Sequence, residues 1–147
     1  LHHYTGMRPL RMRGEMDCNV MFLDLFPGIT ESTLCHQLAT PGIRGIVLKT
    51  FGAGNTPSGE WFVNAIRKAV ESGIVIVNVT QCVNGSVHEK RYVSSDRLAS
   101  AGVISGHDIT SEAAITKLMY LFGQNLSNED VKVKLHHSLA GEITTTH

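Results

Sequence analysis

Three polar segments follow apolar runs of the kind that form buried strands, and they carry residue types that bind small ligands. They are Lys49 to Asn55, Thr80 to Cys82, and Ser105 to Asp108. In an open α/β sheet, ligands bind at the carboxyl ends of the strands, so these segments are expected to lie at one edge. Their ammonium, amide, hydroxyl, thiol and imidazole groups suit a small polar molecule. They do not make a complete catalytic set, because no Ser/His/Asp combination and no carboxylate pair stands out.

The Gly52-Ala53-Gly54 turn invites a phosphate-loop interpretation. The GxGxxG pattern fails because Pro57 stands where the third glycine is needed, and no Gly-Lys-Ser/Thr follows. A tight turn that needs positive φ angles explains the glycines at least as well. Asn55 either binds a small polar ligand or caps the next helix. The residues of this turn therefore do not favour nucleotide binding.

A thiol nucleophile is a second candidate chemistry. Cys82 would need activation by a histidine, and His88 and His107 are both conceivable neighbours. Cysteine is more often a small buried hydrophobe, so this interpretation stays an alternative. His107 and Asp108 are either a base with its orienting carboxylate or groups that bond the backbone at a helix start.

Composition excludes several classes of function. Of 147 residues, 42% are hydrophobic and 18% charged, and 13 basic residues balance 13 acidic ones. This balance indicates a packed domain and argues against binding to nucleic acid or to an anionic membrane. No apolar run approaches the ~18 residues of a membrane span. The scattered Cys18, Cys35 and Cys82 fit reduced thiols in a cytoplasmic protein, and no histidine spacing predicts a metal site.

Alternating apolar runs and amphipathic segments predict βα units. Strands are predicted at 18–23, 45–48, 74–79 and 103–104, and helices at 31–39, 60–72, 96–101, 111–122 and after Ser127. Thr30, Thr110 and Ser127 are predicted to cap the helices that follow them, and helical spacing places Leu34, Cys35, Leu38 and Ala39 on one apolar face of the first helix. The third strand is continuously apolar and β-branched, as in parallel sheets covered on both faces. The predicted fold is a small three-layer α/β/α domain with a Rossmann-like parallel sheet of about four strands. Residues 1–16 are interpreted as a linker or lead-in segment, 17–141 as the domain and 142–147 as a polar tail.

Four segments of the sequence together resemble a known protein family. They are Phe22-Leu23-Asp24-Leu25-Phe26-Pro27-Gly28-Ile29, Lys49-Thr50-Phe51-Gly52-Ala53-Gly54-Asn55, Ile76-Val77-Asn78-Val79-Thr80-Gln81-Cys82, and residues 101–118. In this order they resemble the carboxyl-terminal domain of bacterial cytoplasmic, type I L-asparaginases. The resemblance covers residues 18–140.

The resemblance implies hydrolysis of L-asparagine to L-aspartate and ammonia, without metal or organic cofactor. The nucleophilic threonine of the family lies in a Thr-Gly-Gly-Thr stretch near the amino terminus, and a Gly-Thr-Asp-Thr stretch and a lysine complete the machinery. Neither string occurs here. The implied catalytic residues therefore lie in an amino-terminal domain outside this chain, and no catalytic residue is assigned within it. The implied partners are that domain, further copies in a homodimer or homotetramer, and L-asparagine.

The resemblance also implies two sets of binding residues. The asparagine after the Gly-x-Gly turn, here Asn55, reaches across a dimer interface toward the α-amino end of the substrate, and an amide oxygen is a suitable acceptor for that ammonium. A tyrosine that closes the site matches Tyr92 best, although Tyr92 can equally be an interface or core aromatic. An allosteric asparagine site maps to Thr80, Cys82 and an arginine position that holds Lys49. Lysine cannot form the bidentate clamp of a guanidinium, so binding there is either weakened or absent.

Two rival functions stay open. One is a stand-alone amino-acid-binding or regulatory module, with Lys49, Asn55 and Thr80 facing the ligand. The other is an assembly element that binds no ligand. Saturable binding of asparagine by the isolated chain would favour the first.

Overall fold

The computed structural model of the chain describes residues 14–52, 54–80 and 95–143. The strands are β1 (Val20–Asp24), β2 (Gly45–Thr50), β3 (Val75–Thr80) and β4 (Ile104–Ser105). The helices are α1 (Glu31–Leu38), α2 (Glu60–Glu71), α3 (95–100), α4 (Ser111–Gly123) and α5 (Asn128–Leu135). Elements therefore alternate along the chain as the apolar periodicity predicts.

The four strands form one parallel sheet in the order β1-β2-β3-β4. Asp24 pairs in register with Lys49 of β2, and Lys49 in turn with Val79 of β3. β4 is short and pairs only through Ile104 and Ser105, with Val77 and Asn78. Because all strands run the same way, their carboxyl ends share one edge of the sheet.

Helices cover both faces of the sheet. One buried cluster joins the sheet to α1, α2 and α3, and the other joins it to α4 and α5. Alternate residues of β3 serve the two clusters: Val75, Val77 and Val79 face α4, whereas Ile76 faces α2. The three-layer α/β/α prediction with a four-stranded parallel sheet is thus confirmed.

Helix starts follow the predicted caps. The side-chain oxygens of Thr30, Thr110 and Ser127 accept hydrogen bonds from backbone N–H groups three residues later. Predicted boundaries differ from the observed ones by one or two residues, as expected for ends that fray. One expectation for α1 is wrong: Cys35, which helical spacing places on the apolar face, is exposed, and Leu34 is the fully buried residue of that helix.

The chain enters the domain along a segment fixed to α4. The backbone N–H of Asp17 donates to the carbonyl of Met119 over 2.9 Å. The carboxylate of Asp17 also binds the guanidinium of Arg44 at 2.7 Å, and that guanidinium lies 4.4 Å from the centroid of the Phe122 ring. The Asn19 backbone N–H and Arg44 hold the pKa of Asp17 below its usual value. Residues 15–19 are therefore fixed at the amino edge of the sheet, where β1 and β2 begin.

The carboxyl-terminal end of the described chain is held by contacts with buried residues of α4. Lys117 on α4 is a buried lysine, and its Nζ lies 2.7 Å from Oε1 of Glu142. Ile143 is also buried in the cluster on the α4 face. Glu142 and Ile143, assigned from sequence to the polar tail, therefore belong to the packed part, because Lys117 needs a carboxylate partner there. Residues 144–147 lie outside the described residues.

No helix within the described ranges combines the length and the apolar character needed to cross a membrane.

Candidate functional site

A cleft of about 750 Å³ opens at the carboxyl edge of the sheet. Its lining comes from the ends of β1, β2, β3 and β4 and from the first turn of α4. It includes Lys49 and Thr80, and also His107 and Asp108 of the turn after β4. The three polar segments that the sequence predicts at this edge are thus each represented in the lining. The volume is within the usual range for small-molecule sites.

Lys49 is a cation among the described lining residues of the cleft, and a carboxylate lies against it. Its Nζ lies 2.7 Å from Oδ1 of Asp24, the residue beside it in the sheet register. The same Nζ lies 5.4 Å from the centroid of the Phe22 ring. The side chain of Lys49 is 27% exposed and that of Asp24 56%. A ligand carboxylate that approaches Lys49 must therefore compete with Asp24. Because both side chains are partly exposed to solvent, the ion pair is weak enough for a ligand to displace Asp24.

A second carboxylate stands near the same ammonium, at the start of α4. The backbone N–H of Glu112 itself, the hydroxyl of Ser111 at 3.1 Å and the charge of Lys49 together hold the pKa of Glu112 below its usual value. The positive end of a helix stabilises such an anion. Lys49 therefore forms an ion pair with Asp24 and has a weaker, longer-range electrostatic effect on Glu112.

The centre of the cleft is formed by β3 and β4. Thr80 ends β3 and pairs in register with the fully buried Thr50 of β2, whose hydroxyl donates to the carbonyl of Val79 over 3.2 Å. Asn78 and Ser105 pair in register and also line the cleft. The Oδ1 atom of Asn78 is buried without a hydrogen-bond partner within the part of the chain that the structure describes. It is therefore an unsatisfied hydrogen-bond acceptor of a residue that lines the cleft.

Asn55 is held on a turn next to this cleft rather than inside it. Its backbone N–H donates to the carbonyl of Phe51 at 2.8 Å, and its carbonyl accepts from the Phe51 N–H at 3.2 Å. Gly52 and Gly54 have φ angles of +55° and +103°, which side-chain-bearing residues rarely adopt. The Asn55 side chain is exposed. Its alternative role as a helix cap is wrong, because Gly59 is the N-cap of α2.

His107 lies at the cleft with a φ of 54°, and its backbone N–H donates to the Ser105 hydroxyl over 3.2 Å. Its ring makes an edge contact with the ring of His136, with centroids 6.3 Å apart. Thr110, not Asp108, caps α4. Among the residues that the structure covers, no group of histidine, cysteine and acidic side chains is arranged to hold a metal ion.

Two of the predicted site residues, Cys82 and Tyr92, lie outside the described residues, as does His88. The structure therefore brings Lys49 and Thr80 to one cleft and places Asn55 beside it. Sequence reasoning missed Asp24 as the ion-pair partner of Lys49, and it missed Glu112 as a further carboxylate of the cleft. The signal for Asp24 was present, since it is the polar residue that ends the first apolar run, but its pairing with Lys49 depends on which strands are neighbours.

Comparison with known proteins places this geometry in a family. The model of the Glutaminase/Asparaginase C-terminal domain matches residues 19–134, a range that contains every predicted binding residue. The 60 kDa lysophospholipase of Mus musculus is 41% identical over 140 residues, which are 95% of this chain and 24% of the relative. L-asparaginase 1 of Escherichia coli (strain K12) is 38% identical over 120 residues, which are 82% of this chain and 35% of the relative.

A solved structure agrees with the sequence relatives. The crystal structure of L-asparaginase I from Vibrio cholerae O1 biovar eltor str. N16961 has 41% sequence identity to this chain and a TM-score of 0.76, covering 86% of this chain and 38% of that one. The chain thus spans between 24% and 38% of the length of these proteins. The resemblance to type I L-asparaginases drawn from the sequence strings is confirmed. This chain belongs to the glutaminase/asparaginase C-terminal domain family.

Proposed function

We propose that this chain is the carboxyl-terminal domain of an L-asparaginase, which hydrolyses L-asparagine to L-aspartate and ammonia in the cytoplasm. Support comes from the family match over residues 19–134 and from the asparaginases among its relatives. In this proposal the threonine nucleophile lies in an amino-terminal domain. The domain described here contributes the dimer interface and residues that close the substrate site of the neighbouring subunit.

The observation that carries the proposal is the presentation of Asn55. Both backbone polar groups of Asn55 bond to Phe51, so the turn holds its own shape while the amide side chain stays exposed. An amide oxygen held this way accepts a hydrogen bond from the α-ammonium of a substrate at little entropic cost. Such a contact contributes to substrate binding rather than to bond cleavage. Tyr92, which lies outside the described residues, is proposed as a second closing residue.

The test compares two asparagine substitutions in the full-length protein that contains this domain. Asn55→Ala is expected to raise the KM for asparagine about tenfold with little change in kcat, because uniform binding is lost. Asn64→Ala is the matched control, since Asn64 is an exposed asparagine on the outer surface of α2. Ammonia release is the readout, with the 147-residue chain as the blank. Equal KM values for both variants would contradict the role of Asn55, and turnover by the chain alone would contradict the location of the nucleophile.

A second candidate function, binding of asparagine as an effector, is favoured by the cleft within the single domain. We propose that Lys49 binds the ligand carboxylate, that Thr80 supplies a hydroxyl, and that Asn78 supplies the acceptor for the amino group or amide. Cys82 completes this proposed set but lies outside the described residues. Asp24 competes for Lys49, so binding is expected to be weak. The same arrangement would serve a stand-alone amino-acid-binding module.

Calorimetry of the 147-residue chain with asparagine tests the cleft. Saturable binding that is lost in Lys49→Met but kept in Lys68→Met is the expected result, because Lys68 is an exposed lysine on α2 away from the cleft. In the full-length enzyme, the same binding predicts a sigmoidal dependence of rate on asparagine. Absence of binding together with a hyperbolic rate would leave the catalytic proposal standing and remove the effector site.

A further inference from the structure

The turn that presents Asn55 belongs to a longer loop whose two ends are both fixed by hydrogen bonds. We give the name Asn55 loop to the described residues of this segment, 51, 52 and 54–59. Its first end is fixed to β2 by the Phe51–Asn55 bridge. Its second end, just before α2, carries three successive carbonyl groups that lie outside any strand or helix. Whatever binds those carbonyls sets the position of the loop relative to the domain.

The group that binds them is the guanidinium of Arg97. Its Nη2 donates to the carbonyls of Ser58 at 3.0 Å and Gly59 at 3.3 Å, and its Nη1 donates to the carbonyl of Pro57 at 3.5 Å. Nη2 also lies 3.3 Å from Oε1 of Glu60. A planar fork with several donors can span such a row of acceptors, whereas an ammonium cannot. Arg97 is thus connected to four consecutive residues that lie 37 to 40 positions earlier in the sequence.

The helix that carries Arg97 is packed into the core. Arg97 lies on α3, next to Leu98, which is 2% exposed and packed in the core cluster on the α2 face. The Arg97 side chain itself is 26% exposed. Glu60 is 83% exposed, so its ion pair with Arg97 is screened and contributes little. The carbonyl contacts therefore carry the interaction.

We infer that Arg97 is a positioning residue for Asn55: it fixes the second end of the Asn55 loop and thereby the place where the amide meets the substrate. The inference rests on the proposed function of Asn55. A residue that acts in this way raises KM when it is removed, because the amide loses its preorganised position, and it leaves kcat nearly unchanged. It also holds the loop in place in the absence of substrate. Hydrogen exchange of the loop amides can therefore test the inference independently of activity.

The first arm of the test is hydrogen exchange in the 147-residue chain. In Arg97→Met, the amides of Phe51, Gly54 and Asn55 are expected to exchange about tenfold faster, while those of α4 keep their rates. Glu60→Gln removes only the exposed ion pair and is expected to leave exchange unchanged. Unchanged exchange of the Asn55 loop in Arg97→Met would overturn the inference.

The second arm is kinetics in the full-length enzyme. Arg97→Met is expected to raise the KM for asparagine about fivefold with kcat within about twofold, and Arg97→Lys to give a smaller rise, which also serves if the methionine variant does not fold. Arg67→Met is the matched control, since Arg67 contacts only Asn64 of its own helix among the hydrogen bonds described for it. If Asn55→Ala raises KM but both Arg97 variants do not, the inference is wrong and the proposed function stands. If Asn55→Ala has no effect, the proposed role of Asn55 in substrate binding is wrong, and with it the inference that Arg97 positions Asn55 for the substrate.

Discussion

Replacing Glu142 with glutamine should remove a buried ion pair and measurably destabilise the domain. The Nζ atom of Lys117 lies 2.7 Å from Oε1 of Glu142, and the two side chains are only 3% and 13% exposed. The same ammonium donates to the carbonyls of Leu135 at 3.2 Å and His137 at 2.6 Å. The glutamine side chain would keep an oxygen but no charge, so the ammonium would stay buried with neutral acceptors alone. Breaking a buried pair in this way costs about 3–5 kcal/mol.

The pKa of Glu142 gives an independent magnitude and a pH dependence. Burial alone raises this pKa, but hydrogen bonds from Lys117 and from the backbone N–H groups of Ala140 and Leu139 outweigh it and lower the value from 4.5 to about 2. At 1.36 kcal/mol per pKa unit, this shift is worth about 3 kcal/mol of the free energy of unfolding. Because the pKa is lowered in the folded state, this contribution is complete above pH 4.5 and is lost as the pH falls toward 2.

Urea denaturation of the 147-residue chain at a series of pH values is the assay. At pH 7, Glu142→Gln is expected to lower the free energy of unfolding by about 3 kcal/mol, and the difference from the unchanged chain should shrink as the pH falls from 4.5 toward 2. Glu129→Gln is the control, because Glu129 and Lys132 are 2.6 Å apart but 80% and 32% exposed. Its expected loss is below about 0.5 kcal/mol. Equal losses for the two variants, or a difference that does not change with pH, would refute the reasoning.

Two further substitutions test the cleft and the contact of Glu15 with α4. Asp24→Asn removes the carboxylate that competes for Lys49, so calorimetry should show asparagine binding to the chain about threefold more tightly; weaker or unchanged binding would mean that the ligand carboxylate does not reach Lys49. Gly123→Ala should lower the free energy of unfolding by about 1–2 kcal/mol in urea denaturation, because a Cβ there would lie 2.3 Å from the carbonyl oxygen of Glu15. Alanine normally stabilises a helix, so a gain in stability would contradict the proposed close approach.

Much of the fold could be predicted from the sequence because its signals are local. The apolar β-branched run at 74–79 identifies a central strand, and helical spacing identifies α2 and α4. The cap residues Thr110 and Ser127 are also local signals, and both are confirmed. The gathering of polar segments at one edge followed from the parallel topology alone.

The charged pairs could not be predicted, because they depend on which elements meet in space. Lys117 lies three residues after Ala114 and four before Leu121, so its place on the buried face of α4 was visible in the spacing. Its partner Glu142 was not, since 25 residues separate them and the segment reads as a polar tail. Asp24 and Lys49 likewise become neighbours only through the pairing of β1 with β2.

The fixed position of residues 15–19 determines how the domain can be attached to a surface or a label. Asp17 and Arg44 hold the incoming chain at the amino edge of the sheet, whereas the cleft opens at the carboxyl edge. The two edges are one strand apart, about 17 Å for a strand of about five residues. The exposed thiol of Cys18 lies at the amino edge. In a variant that keeps Cys18 and replaces Cys35 and Cys82 by serine, a surface or a fluorophore coupled to the Cys18 thiol will therefore leave the cleft unobstructed. The domain can then be immobilised with its candidate binding site facing the solution.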